Sequence, residues 1–316
     1  MSSFAIYNYQ FAKIIKRAKE QSLFGDDSIE MDAEEAFQKK QEIFGELLEK
    51  DYKVEKDNDE IKFTNRRSEK VFIHQHLMPP TDGMIVMRVA NVRAASFVNK
   101  DFNEDHVDDY QNCIVIIDNR PGIQRILIEN RKRAFQDVKQ VANILSYTFN
   151  LLLQQYNLKI ELMHLQESKK FWAYVNDQRS FPTGFYRCKF HLPHLNLERL
   201  NKVYESVLHQ SRESFNSDLD WSLKANDGDR LRFDEKDERQ RALIEYMMED
   251  VGSNNIKLYS NDDKRKAIVV GKDSFAAIGI SETTIKRLEE DVRKGELFKS
   301  KALDEIKLKT KTRIDL

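Results

Sequence analysis

The run Cys113-Ile-Val-Ile-Ile117 constrains what this chain can fold into more than any other feature. Five consecutive apolar residues suit a strand covered on both faces, because successive strand side chains point to opposite sides of a sheet. Asp118 ends the run, Asn119-Arg-Pro-Gly122 supplies turn residues, and Ile123-Gln-Arg-Ile-Leu-Ile128 reads as the returning strand of a hairpin. Val138, Val141, Ile144, Leu145, Tyr147, Thr148, Leu151, Leu152 and Tyr156 then form the apolar stripe of a long helix, a stripe that must cover such a sheet. A buried central strand, a hairpin partner and a helix across them predict an α+β fold with mixed or antiparallel sheets.

The rest of the chain extends this pattern. The aromatic-rich segment 4–11 reads as a strand leading into a basic helix over 14–20. Ala36, Phe37, Ile43, Phe44, Leu47 and Leu48 recur at helical spacing and predict a surface helix over 32–50, followed by two short strands within 51–65. Strands are expected at 71–77, 84–92 and 158–166, and a short helix around Phe171 and Trp172. Ser180-Phe-Pro-Thr-Gly184 reads as a linker. The expected division is therefore a first α+β domain over 1–179, a second over 180–295 and a charged tail over 296–316. The second domain is expected to hold strands at 185–192 and 219–223, a hairpin from 256 to 270, and helices over 195–215, 235–250 and 281–294.

Length and composition agree with two cores: 316 residues, 40% hydrophobic, with Gly and Pro too few for a collagen-like or low-complexity chain. No apolar run approaches the roughly 18 residues that a membrane helix needs, so no membrane insertion is expected. Cys113 and Cys188 both fall in strand-like apolar patterns, and no secretory leader opens the sequence. Reduced, buried thiols in a cytoplasmic protein are the expectation.

The formal net charge of -1 hides strong local polarity. Residues 20–60 carry 15 Asp and Glu against 5 Lys, whereas 120–139 carry 6 Lys and Arg against 2 acids, and 293–316 carry 8 against 4. Such segregation bears on partners rather than on fold. In the expected strand 185–192, Arg187, Lys189 and His191 share one face, and Tyr186, Cys188, Phe190 and Leu192 share the other. With the apolar set facing a core, the cations look outward. Together with Arg120, Arg125, Arg131, Lys132 and Arg133 they are the candidate contacts to nucleic-acid phosphates.

Other chemistry is thinner. Val270-Gly-Lys-Asp-Ser274 has no earlier glycine to cradle a phosphate, and no nucleophile elbow, zincin helix or Cys-x-x-Cys occurs. His74-Gln-His76 and His191-Leu-Pro-His194 are short-spaced imidazole pairs, but they fall in different expected domains without a cysteine or a placed carboxylate. Neither a metal nor a cofactor is therefore expected. Asp118 at the end of a buried strand, with Glu167-Ser-Lys169 after another, imitates the acidic centre of a metal-dependent nuclease and is the alternative catalytic set. The stretch 275–288 has the letters of a helix-turn-helix, with Gly279 at the turn; Ser281 as a plain helix N-cap explains the same letters.

The succession of strand 114–118, turn 119–122, long helix 138–156 and an aromatic-basic strand opening a second α+β domain resembles in plan the RexA and KwaB type of bacterial phage-exclusion protein. That resemblance implies a cytoplasmic, DNA-associated protein of abortive infection. Such a protein would act through a partner protein; the basic positions add sequence-tolerant DNA contact, the want of a catalytic constellation adds a non-enzymatic role, and a homo-oligomer is a further expectation.

Overall fold

A computed structural model describes residues 1–14, 33–56, 63–65, 68–192, 219–251, 256–270 and 276–311. In chain order the elements are β1 (Ser2–Lys13), α1 (Ala33–Gln38), α2 (Lys40–Lys56), β2 (Phe63–Asn65), β3 (Ser68–His76), β4 (Met84–Val98), β5 (Glu104–Asp118) and β6 (Arg125–Glu129). Next come α3 (Val138–Leu153), β7 (Leu158–His164), α4 (Lys169–Asn176), β8 (Phe185–Leu192), β9 (Leu219–Lys224) and α5 (Glu238–Glu245). The last are β10 (Ile256–Ser260), β11 (Ala267–Val269), β12 (Ala277–Ile280), α6 (Glu282–Lys294) and α7 (Lys301–Lys311). Eight strands form one sheet in the order β12-β1-β6-β5-β4-β3-β2, with β7 also on β1, and four form a second in the order β11-β10-β8-β9. The protein is α+β, and the pairings from β2 to β6 and throughout the smaller sheet are antiparallel.

The chain divides into two compact units, but not at residue 180. One comprises Met1–Ala5, Phe11–Leu162 and Gly279–Lys311, and the other Ile6–Gln10 and Met163–Ile278. The charged tail expected over 296–316 is corrected as far as residue 311: α7 occupies most of it, with Ala302, Leu303, Ile306 and Thr310 buried. Those four positions follow helical spacing, so the lysines between them sit on the opposite face and mask an amphipathic helix as a tail.

In the first unit the buried run behaves as its composition demands, with Val115, Ile116 and Ile117 all inaccessible. β5 lies between β4 and β6, and α3 lays Val141, Ile144, Leu145, Phe149 and Leu153 into the core. Asp137 starts α3 by accepting a hydrogen bond from the Gln140 backbone N–H at 2.9 Å. Phe149 meets Phe44 and Phe63 edge-on, at 5.1 and 6.0 Å between ring centroids. Burying each such ring stabilises the unit by about 1.5–3 kcal/mol.

Three expectations need correction here. The helix expected over 32–50 is broken at Lys39 into α1 and α2, and α2 continues to Lys56 where strands were expected. Strands β4 and β5 run on past the sheet, paired from Met84↔Asp118 to Val98↔Glu104, as a two-stranded arm whose outer residues are exposed. Its carboxylate-rich outer half, Glu104-Asp-His-Val-Asp-Asp109, lacks the apolar alternation that marks a half-buried strand. Finally, Ala277–Ile280 form strand β12, so Gly279 lies in a strand rather than at a helix-turn-helix turn, and Ser281 caps α6 by accepting from the Thr284 N–H at 3.0 Å; residues 271–275 lie outside the described residues. The basic helix expected over 14–20, beyond residue 14, and the helix over 195–215 lie outside the described residues.

In the second unit Cys188 and Phe190 of β8 and Ile256 and Leu258 of β10 face a core built with Phe171, Trp172, Ile244, Met247 and Met248. Phe185 joins them although strict alternation puts it with Arg187. A bulge causes this: Tyr259 pairs with Arg187 but Ser260 with Phe185, so β8 carries one extra residue and its face inverts there. Burial pushes the Cys188 thiol up, and it pushes Cys113 to about 12 from an ordinary 9.0. Both thiols therefore stay protonated and inaccessible at pH 8. A thiol-specific chromogenic reagent at that pH should titrate no thiol in the native protein and two in denaturant; reaction of either in the native state would contradict this burial.

Candidate nucleic-acid interface and a buried histidine cluster

The structure separates the predicted phosphate contacts into two groups. Arg120 and Arg125 belong to the interior of the first unit. Arg120 grips Asp118 with both arms of its guanidinium, Nε to Oδ1 at 2.9 Å and a terminal nitrogen to Oδ2 at 2.7 Å, and also donates to the Lys307 carbonyl at 2.9 Å. Arg125, 2% exposed, donates to the Thr310 carbonyl at 2.7 Å. Both arginines thus tie the turn after β5 and strand β6 to backbone carbonyls of α7. Neither can serve a phosphate, which corrects their assignment to an interface.

Asp118 is consumed by the same arrangement. It has no exposure, and Thr310 Oγ1 donates to its Oδ2 at 2.5 Å beside the Arg120 pair. A carboxylate with both oxygens so engaged has no lone pair to offer Mg²⁺, so the nuclease set loses its anchoring ligand. Glu167 pairs with the exposed Lys169 at 2.9 Å, an ordinary surface ion pair.

Arg187 and Lys189 do face away from the core of the second unit, and the sheet adds cations that the strand alone does not reveal. Lys189 lies directly opposite Lys257 on β10, and Arg187 directly opposite Lys224 on β9. Like charges in direct cross-strand register destabilise a sheet, so this face carries a standing electrostatic cost. Among the described residues of these strands its one carboxylate is Asp220, which sits 2.7 Å from His191 Nδ1. Arg187 is held by Nε donating to Ser222 Oγ at 2.9 Å, and its guanidinium carbon lies 5.7 Å from the centre of the Tyr259 ring. Tyr186, beside the bulge, lies 6.3 Å from Tyr259 and has Lys264 5.5 Å from its ring centre. The face thus interleaves cations with aromatic rings. Arg131, Lys132 and Arg133 are exposed in the turn after β6 of the first unit.

Of the two histidine pairs, His194 lies outside the described residues. His74 and His76, two apart on β3, both point beneath α2, where Asp51 meets them. His74 Nε2 lies 3.1 and 3.0 Å from the two Asp51 carboxylate oxygens, and His76 Nε2 lies 2.7 Å from Oδ2. Burial works to raise the Asp51 carboxyl, but the hydrogen bonds and charge of His74 and His76 outweigh it and hold the group below the ordinary carboxylate value. Sequence reasoning found no carboxylate placed beside His74 and His76. The signal for the right one is the stripe Phe44, Leu47, Leu48, Asp51, which continues the helical spacing of α2 and so places Asp51 on its inner face.

A cleft of about 980 Å³ beside α3 and β7 is lined by Asn143, Ser146, Tyr147, Asn150, Gln154 and Lys159, among others. Asn150 is spent within the fold, bonding the backbone of Ile160 through both ends of its amide at 2.9 and 2.7 Å. No helix of the described residues is long and apolar enough to cross a membrane. No protein-family model matches the chain, and no curated protein is significantly similar to it.

Proposed function

We propose that the protein binds nucleic acid, contacting phosphates through Arg187, Lys189, Lys224 and Lys257 without reading sequence and without chemistry of its own. The observation that carries this is the pairing of cation opposite cation on one sheet face. A fold that holds four positive side chains together without carboxylate partners among the described residues gains when a polyanion supplies the missing charge, because each neutralised phosphate also releases condensed counterions. The flanking Tyr186 and Tyr259 suit a backbone-tracking surface on which a base can stack. No asparagine or glutamine occupies this face in the described strands, so adenine readout in a major groove has no reader there. The resemblance in plan to phage-exclusion proteins supports placing this binding in bacterial antiviral defence, alongside a protein partner and DNA as the nucleic acid.

Anisotropy titrations of labelled duplexes across a series of salt concentrations test the proposal. Two duplexes of unrelated sequence should bind equally, with log affinity falling against log salt at a slope of about -3.6 for four phosphate contacts. Binding that ignores salt, or that discriminates strongly between the duplexes, would overturn it.

A further inference from the structure

We propose that Asp51, His74 and His76 form a binding site for Zn²⁺ or a chemically similar divalent transition-metal ion. Among the described residues these are the three His, Cys, Asp or Glu side chains whose donor atoms converge, all within 4.8 Å of one another, and all three are buried. The site is separate from the cationic sheet face and does not depend on it.

Three observations carry the assignment. Both imidazoles present the same nitrogen, Nε2, to one point, and neutral imidazole nitrogen is the commonest protein ligand for such ions. Two imidazoles with one carboxylate is a donor set that Zn²⁺ accepts in sites with three protein ligands, and one that non-haem Fe²⁺ also accepts. The spacing is close to what an ion needs. Ligand bonds of about 2.0–2.1 Å put tetrahedral donors about 3.3 Å apart; the histidine nitrogens lie 2.7 to 3.1 Å from the Asp51 oxygens and all three donor atoms lie within 4.8 Å of one another, so small side-chain rotations bring them to that spacing.

The surroundings agree. Asp51 rides on helix α2 and the histidines on alternate positions of strand β3, where His74 pairs with Val89 and His76 with Met87 of β4, so all three ligands come from regular elements rather than loops. Phe63 packs edge-on to His74 at 4.4 Å and Tyr52 to His76 at 5.5 Å, fixing both rings. The Asp51 carboxylate is only 3% exposed, and a divalent cation would balance its buried charge. Three protein ligands leave a fourth position for water or a small ligand.

The test uses the full chain, stripped of metal by chelator and titrated with Zn²⁺ by calorimetry. One equivalent should bind. His74→Gln, His76→Gln and Asp51→Asn should each weaken it by at least about 100-fold, since even partners behind the ligands cost 10- to 100-fold. His106→Gln, on the exposed arm, should leave it unchanged. Because a variant may fail to fold, imidazole ¹⁵N spectra of the wild type provide an independent reading: Zn²⁺ should shift Nε2 of two of the seven histidines, His74 and His76. No heat and no shift, wild-type affinity in both histidine variants, or shifts confined to other histidines would each overturn the assignment.

Discussion

Replacing Arg187, Lys189, Lys224 and Lys257 together with alanine should remove nearly the whole salt dependence of nucleic-acid binding, flattening the slope by about 3.6, and should weaken unrelated duplexes alike. Arg187→Ala with Lys189→Ala alone should flatten it by about two. The folded state should not suffer, because the four alanines abolish two like-charge oppositions, each worth a few tenths of a kcal/mol to about 1 kcal/mol. Arg120→Ala is the contrast: its guanidinium is tied to Asp118 and to the end of α7, so the slope should hold while the first unit loses stability. A quadruple variant with wild-type slope would show that the contact surface lies elsewhere, with Arg131, Lys132 and Arg133 as the next positions to vary.

Asp118→Ala should cost the first unit about 3 kcal/mol, the lower end of what breaking a buried ion pair costs. The lower end applies because Arg120 is 25% exposed in its side chain, so water can reach the orphaned guanidinium, whereas the Thr310 hydroxyl is left without its carboxylate. Hydrogen exchange localises the loss: amides of β5 and α7 should lose protection together, since Asp118 joins the two. Unchanged protection in α7 would mean that the buried carboxylate does not hold the helix.

Much of the fold is legible in local pattern because burial imposes local periodicity. Ile114 to Ile117 announces a central strand and the α3 stripe announces its cover, since each requires only that neighbours in sequence face the same side. The candidate interface is half legible for the same reason. Strand alternation places Arg187 and Lys189 outward, but Lys224 and Lys257 join them only through the sheet order β10-β8-β9, which no local pattern encodes. Arg120 and Arg125 look like surface cations in sequence because the carbonyls that claim them lie 187 and 185 residues away. Asp51 is hidden in sequence because 51–65 reads as two short strands, which ends the helical stripe at Leu48, whereas α2 carries it on.

The return of the last helix to the first unit also has a bearing on how the chain is made. Asp118 leaves the ribosome 192 residues ahead of Thr310, an interval of about 10 to 40 s at translation rates of 5–20 residues per second. Throughout it, Arg125 and the Asp118 oxygen that Thr310 will claim have no helix to meet, while everything from Met163 to Ile278 is synthesised in between. The nascent first unit therefore waits as an incompletely sealed body until α7 has been made.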